Sequence, residues 1–176
     1  MRHMTKRVLT ALACLSLIPT TAMAAREVRG PHQGTVTATT YYSSGMFHGA
    51  VDVSSGEGCN YWGVQTSVVG SLYWNVTVNT TSTYCYGSGA DNANEARHVW
   101  ADGWVFRLRH WHKTAASVDK TCDRCQIGDE GDSGQVNGPT THLQQDKNGT
   151  LDTSWYSGYT LRGEAVSRTE TLGYLE

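Results

Sequence analysis

The sequence predicts a mainly β protein built on an antiparallel sheet, with little helix. Three observations carry that prediction. Gly, Ser, Thr, Tyr, Trp and Val dominate the 176 residues, with 19 glycines and 3 prolines. Long amphipathic helical periodicity is nearly absent, while several short stretches alternate or are rich in β-formers. Gly-Ser-Gly, Asp-Gly and Asn-Gly pairs separate them, the turn chemistry that joins antiparallel strands.

Taken in order, the chain opens on a segment that reads as an export signal. Arg2, Lys6 and Arg7 give a basic start, Val8 to Ile18 is mostly apolar, and Ala22-Met23-Ala24 supplies small residues for cleavage. Residues 1–24 are therefore expected to leave, Cys14 with them. Ala11-Leu12-Ala13 makes a poor lipidation box before that cysteine. Residues 25–176 are expected to form one domain, since they suffice for a real core and show no repeat, linker or second composition. The β-rich stretches are Gly34 to Tyr42, Val64 to Trp74, Val76 to Thr83, Trp104 to Arg109 and Thr141 to Gln145. Ala90 to Arg97 reads as one helical turn or a loop, and Trp155 to Glu176 as a last strand or a segment packed on the sheet.

Charge and cysteines narrow the partners. The leader holds three of the 14 Lys and Arg residues and none of the 16 acids, so the remainder has 11 bases against 16 acids, net −5. No basic stripe is present, so nucleic acid is not an expected partner. No later apolar run approaches membrane length. A secreted or periplasmic monomer is expected. Cys59, Cys85, Cys122 and Cys125 then read as two disulfides, Cys122–Cys125 as a loop staple and Cys59–Cys85 as the other. A redox motif or half a zinc site would need a βαβ context or a second Cys-x-x-Cys, and neither occurs. Asn75-Val-Thr, Asn79-Thr-Thr and Asn148-Gly-Thr fit the glycosylation pattern, which arises by chance in Thr-rich chains.

Two stretches bear on chemistry. Gly131-Asp132-Ser133-Gly134 resembles the nucleophile loop of chymotrypsin-like serine proteases. That mechanism needs a histidine base oriented by a carboxylate, and its Thr-Ala-Ala-His-Cys setting is missing: Thr114-Ala115-Ala116 leads to Ser117. The second stretch is His48-Gly49-Ala50-Val51-Asp52. On a straight strand its imidazole and carboxylate would stand roughly 13 Å apart, too far to share an ion. A tight bend at Gly49 into a strand starting near Val51 would join them. His142, at the start of a β-like run, supplies a third ligand, and His110 and His112 flank Trp111 after another. Two histidines, an aspartate and an open position make a catalytic rather than a structural zinc site. The tyrosines and tryptophans are core by default and in part groove walls.

With those residues in view, the stretch from Gly34 to Gly149 resembles the lysostaphin/LytM-type zinc metallopeptidases, which include β-lytic endopeptidases. Phe47 to Val53 is similar to the family's His-x-Gly-x-Asp motif, with Ala50 for its glycine. His110-Trp111 matches an internal His-Leu step upstream of an Ile-Gly pair, here Ile127-Gly128. Gly128, Gly131, Gly134, Gly138 and Pro139 reproduce the spacing into a His-x-His motif whose second histidine is His142. The resemblance implies a duplicated-hybrid-motif-like antiparallel groove, Zn²⁺ on His48, Asp52 and His142, and peptide cross-links of bacterial peptidoglycan as substrate. His110 would take a proton or bind the oxyanion. Two departures stand out: Thr140 replaces the first histidine of His-x-His, and Gln144 replaces a glutamate. Threonine donates a hydrogen bond but carries no proton or charge at neutral pH, and losing such a group costs on the order of 10²–10⁴ in rate. His112, or His98 or His32, would have to fill the gap. The rival expectation is therefore a non-catalytic relative that holds zinc, binds wall peptides or regulates a partner.

Overall fold

The computed structural model describes residues 25–58, 63–79, 92–112 and 118–175. The expected leader with Cys14, and the expected Cys59–Cys85 bridge, lie outside them. The architecture is mainly antiparallel β, as the composition predicts. Among the described residues thirteen short strands follow in chain order: β1 (Arg26–Arg29), β2 (Gly34–Ala38), β3 (Val51–Ser54), β4 (Gly63–Gln65), β5 (Tyr73–Thr77), β6 (Glu95–Val99), β7 (Trp104–Arg109), β8 (Lys120–Thr121), β9 (Gln126–Asp129), β10 (Thr141–Lys147), β11 (Thr150–Asp152), β12 (Ala165–Val166) and β13 (Thr171–Leu175). Among the described residues the helical element is one 3₁₀ turn, Ser154–Tyr156.

Nine strands make one antiparallel sheet in the order β12-β2-β3-β10-β7-β6-β5-β8, with β11 paired to β10. β10 lies at its centre, and its alternation decides what each face does. Thr141, Leu143 and Gln145 are buried on one face, with Leu143 opposite Val51 and Leu108, and Gln145 opposite Phe106. His142, Gln144 and Asp146 take the other face, where His142 lies opposite Asp52 on one side and Arg109 on the other. A one-residue slip would move all of them across the sheet, so the apolar set fixes the register of the polar one.

The apolar face is covered by two small ribbons, β1–β13 and β4–β9, and by the 3₁₀ turn. Val28, Val64, Ile127, Leu172, Leu175, Trp155 and Tyr156 join Val51, Val53, Phe106, Leu108 and Leu143 in one continuous core. Each fully buried side chain of this kind contributes about 1.5–3 kcal/mol. Trp74, Trp111 and Trp155 are fully buried, so these three serve as core.

Two sequence expectations are corrected here. The segment Ala90 to Arg97, expected as one helical turn or a loop, is loop over 92–94 but enters β6 at Glu95, because β5 and β7 satisfy its backbone on both sides. The predicted break between Val64–Trp74 and Val76–Thr83 falls inside β5; residues 66–72 form the turn instead. The tail does both things foreseen for it: β12 extends the main sheet and β13 pairs with β1. Cys122 and Cys125 are disulfide-bonded.

Candidate metal centre and cleft

His48, Asp52 and His142 converge, although they come from separate parts of the chain. Asp52 and His142 meet because they are direct cross-strand partners of β3 and β10. His48 arrives by the bend at Gly49, whose φ is +74°. The amides of His48 and Gly49 both donate to the Thr40 carbonyl, at 2.9 and 3.2 Å, and hold that bend shut. A Cβ at Gly49 would meet Leu151 and lie 2.8 Å from Cζ of Phe47, so glycine is required twice over.

The hydrogen bonds around the ring nitrogens define their tautomers. Nδ1–H of His48 donates to the Thr39 carbonyl at 2.8 Å, leaving Nε2 unprotonated. Nε2–H of His142 donates to Oε1 of Gln144 at 3.1 Å, leaving Nδ1 unprotonated. Gln144 is oriented in turn by donating to Asp146 at 2.8 Å, and Asp146 accepts from Arg107 at 2.7 Å. The two lone pairs and the Asp52 carboxylate then face one another. His48 Nε2 is 3.1 Å from His142 Nδ1 and 3.3 Å from Asp52 Oδ1, and His142 Nδ1 is 2.9 Å from the same oxygen. Three electron-pair donors so arranged require a shared cation or an added proton. Ligands about 2 Å from one ion at tetrahedral angles lie about 3.3 Å apart, so this donor set fits zinc.

Electrostatics in the triangle of side chains follow from those contacts. Burial works to raise the Asp52 carboxyl, but the hydrogen bonds and charges of His142 and His48 hold it well below the usual carboxylate range. Burial opposes protonation of His48, yet Asp52 and the Thr39 carbonyl leave its pKa raised.

The centre opens into a cleft of about 890 Å³ on the polar face of the sheet. One wall is the tight turn Tyr42, Ser43, Ser44 and Met46; the other is Gln135 to Thr140. His110 also lines it. Its ring lies edge-on to His142 with centroids 5.5 Å apart. Nδ1–H of His110 donates to the Ser133 carbonyl at 2.7 Å, so its unprotonated Nε2 is the nitrogen available to a partner. Burial pushes its pKa down to about 4, the Ser133 carbonyl partly opposing.

The other sequence candidates are placed differently. Thr140 lines the cleft, but its hydroxyl donates to the Val53 carbonyl at 3.1 Å. His112 is buried, exchanges backbone bonds with Asp129, and is not part of the cleft lining. His98 donates to the Tyr73 carbonyl between Trp74 and Trp100, and His32 binds Thr141 on the opposite face of the sheet. None of the three is among the residues that line the cleft beside Thr140. Ser133 is 2 % exposed, and its hydroxyl donates to the Trp111 carbonyl while accepting from the Asn94 amide. It presents no nucleophile, which removes the support for the serine-protease alternative. Tyr42, which the sequence did not single out, lines the cleft with its ring centroid 4.3 Å from that of His48. Its one signal is that it stands six residues before that histidine.

The fold and site together define an antiparallel β protein with a two-histidine, one-carboxylate candidate metal centre at the base of a cleft. No family model and no curated protein matches the chain. Among solved structures it is similar to the catalytic domain, in a mutant form, of the prophage-encoded M23 protein EnpA from Enterococcus faecalis, at 21% identity and a TM-score of 0.41 over 72% of this chain and 88% of that one. It is also similar to a zinc-containing peptidase from Vibrio cholerae, at 17% identity and a TM-score of 0.39 over 73% of this chain and 36% of that one, so it spans little more than a third of the latter.

Proposed function

We propose that the protein is an exported zinc metalloendopeptidase that hydrolyses peptide bonds in bacterial peptidoglycan. The observation that carries the metal reading is the triangle of donors at 2.9–3.3 Å with every other ring nitrogen already committed. The substrate reading rests on the motif resemblance, and export on the leader.

His48, Asp52 and His142 would hold Zn²⁺, which when bound supplies a Lewis acid that polarises a carbonyl and acidifies water. The remaining work falls to side chains of this chain. His110 stays neutral near pH 7, because burial disfavours its charged form. Its free Nε2 accepts a proton from the attacking water and returns it to the leaving amine, so one water is consumed and one new carboxylate and one amine result. Tyr42, whose phenol burial holds protonated, supplies an O–H donor on the cleft wall. Arg107, Asp146 and Gln144 fix the His142 tautomer through a chain of hydrogen bonds, the outer support that metal-binding histidines require.

One observation favours the second reading, a zinc-holding or wall-binding protein with impaired catalysis. The hydroxyl of Thr140 is spent on Val53, and none of His32, His98 and His112 lines the cleft. The test is zymography on purified peptidoglycan with zinc-loaded and chelated protein, beside Thr140→His. Chelator-sensitive lysis that releases new amino groups supports the enzyme, and Thr140→His is expected to raise its rate by about 10-fold or more. Bound zinc without lysis, and without rescue by that substitution, makes it a binding module.

A further inference from the structure

His110 is a non-glycine residue at φ +72°. A left-handed conformation of this kind is strained in a non-glycine residue and persists only where neighbours over-determine it. Here the neighbours come largely from the Gly-Asp-Ser-Gly stretch. The Ser133 amide donates to the His110 carbonyl at 3.2 Å, and the Ser133 carbonyl accepts Nδ1–H of His110 at 2.7 Å. The Ser133 hydroxyl donates to the next carbonyl, that of Trp111, at 3.0 Å. Asn94 completes the frame. Its carbonyl accepts the His110 amide at 3.2 Å, its side-chain amide donates to the Trp111 carbonyl at 3.0 Å, and its own amide donates to the Ser133 hydroxyl at 3.1 Å. The two segments approach this closely because Gly134 has φ +83° and a Cβ there would lie 2.8 Å from the Ala93 nitrogen.

From this geometry we infer that Ser133 is a positioning residue for His110: through its hydroxyl it locks the backbone and the Nδ1–H tautomer that present an unprotonated Nε2 to the cleft. The inference rests on the proposed hydrolysis for its consequence, not for its geometry. The opposite tautomer would set the Nδ1 lone pair against the Ser133 carbonyl and turn an N–H toward the cleft, where a proton acceptor is needed. Ser133→Ala removes the hydroxyl that ties this carbonyl to Asn94 and Trp111, so the imidazole loses its register while the metal ligands keep theirs. The motif that resembles a nucleophile loop therefore acts on the base instead.

Imidazole nitrogen NMR on the zinc-loaded protein, together with steady-state hydrolysis of a peptidoglycan peptide, tests it. Wild type is expected to show His110 as a single Nδ1–H tautomer near neutral pH, and Ser133→Ala a mixture. A kcat lower by about 10- to 100-fold should accompany that mixture, with KM and zinc affinity changed by no more than about threefold. Ser133→Thr, which keeps the hydroxyl, should restore both tautomer and kcat. Thr160→Val, which removes a buried hydroxyl bonded to the Leu172 carbonyl away from the cleft, controls for lost stability and should leave both unchanged. The inference is overturned if Ser133→Ala keeps a single Nδ1–H tautomer, or if the wild type hydrolyses the peptide and Ser133→Ala loses no more kcat than Thr160→Val. Should Ser133→Ala not fold, wild type and Ser133→Thr still decide, because a mixed or Nε2–H His110 in either one refutes the clamp. A locked His110 in a protein that hydrolyses no peptide sinks the proposed function and leaves the clamp standing; an unlocked His110 in an active hydrolase does the reverse.

Discussion

His48 and His142 each have one nitrogen spent on an outer acceptor and the other aimed at Asp52. Removing any of the three donors breaks the triangle, whereas removing an outer partner only loosens it. Asp52→Ala or His142→Ala is therefore expected to weaken zinc binding, measured by calorimetry, by far more than the roughly 10- to 100-fold typical of an outer partner such as Gln144. Equal losses for His142→Ala and Gln144→Ala would contradict that ranking. The convergence of these three side chains was legible in the sequence through the resemblance of Phe47 to Val53 to a metal-binding motif and through the bend at Gly49. The state of Thr140 was not, since only the fold reveals that its hydroxyl bonds Val53 and that His112 is buried outside the cleft lining. Nor was the role of Ser133 legible, because a tetrapeptide does not disclose whether its hydroxyl faces a cleft or a buried carbonyl.

At the scale of elements, the bend before β3 does most to assemble the site. Gly49→Ala would place a side chain at φ +74° against Leu151 and Phe47. It should cost about 1–3 kcal/mol for the backbone alone, read as a lower thermal midpoint, together with weakened zinc binding as His48 swings away. A stable Gly49→Ala protein with full zinc affinity would show that the bend is not what delivers His48. The sequence offered this bend as one way to join His48 to Asp52, and it foretold β7 and most of β10 as strands. It did not foretell β6, because Glu, Ala and Arg are helix formers locally and become a strand only between two partners. β8, β11 and β12 span two or three residues, too few for any period to register.

For the whole molecule, buried histidines tie stability to pH. The His110 pKa falls from an ordinary 6.5 to about 4 in the folded chain, through burial above all. Between those values the unfolded chain binds more protons, so this contribution is full above 6.5 and is lost as pH falls toward about 4. It amounts at most to on the order of 3 kcal/mol. His32 and His98 shift in the same direction, again by burial. His48 has the opposite sign: its raised pKa adds stability at low pH that is lost as pH rises through the folded value. Thermal melts of the metal-free protein should show a lower midpoint near pH 5 than near pH 7, with a flatter dependence in His110→Gln. A midpoint equal at both values, or an unchanged slope in that variant, would contradict the assignment.

The central claim is that one zinc ion sits on His48, Asp52 and His142. X-ray absorption at the zinc edge, on protein loaded with one equivalent, tests it most directly. The account predicts two imidazoles and oxygen donors with no sulfur, and a spectrum that changes in His142→Ala. Sulfur ligation, or a spectrum indifferent to that substitution, would place the metal elsewhere and contradict it.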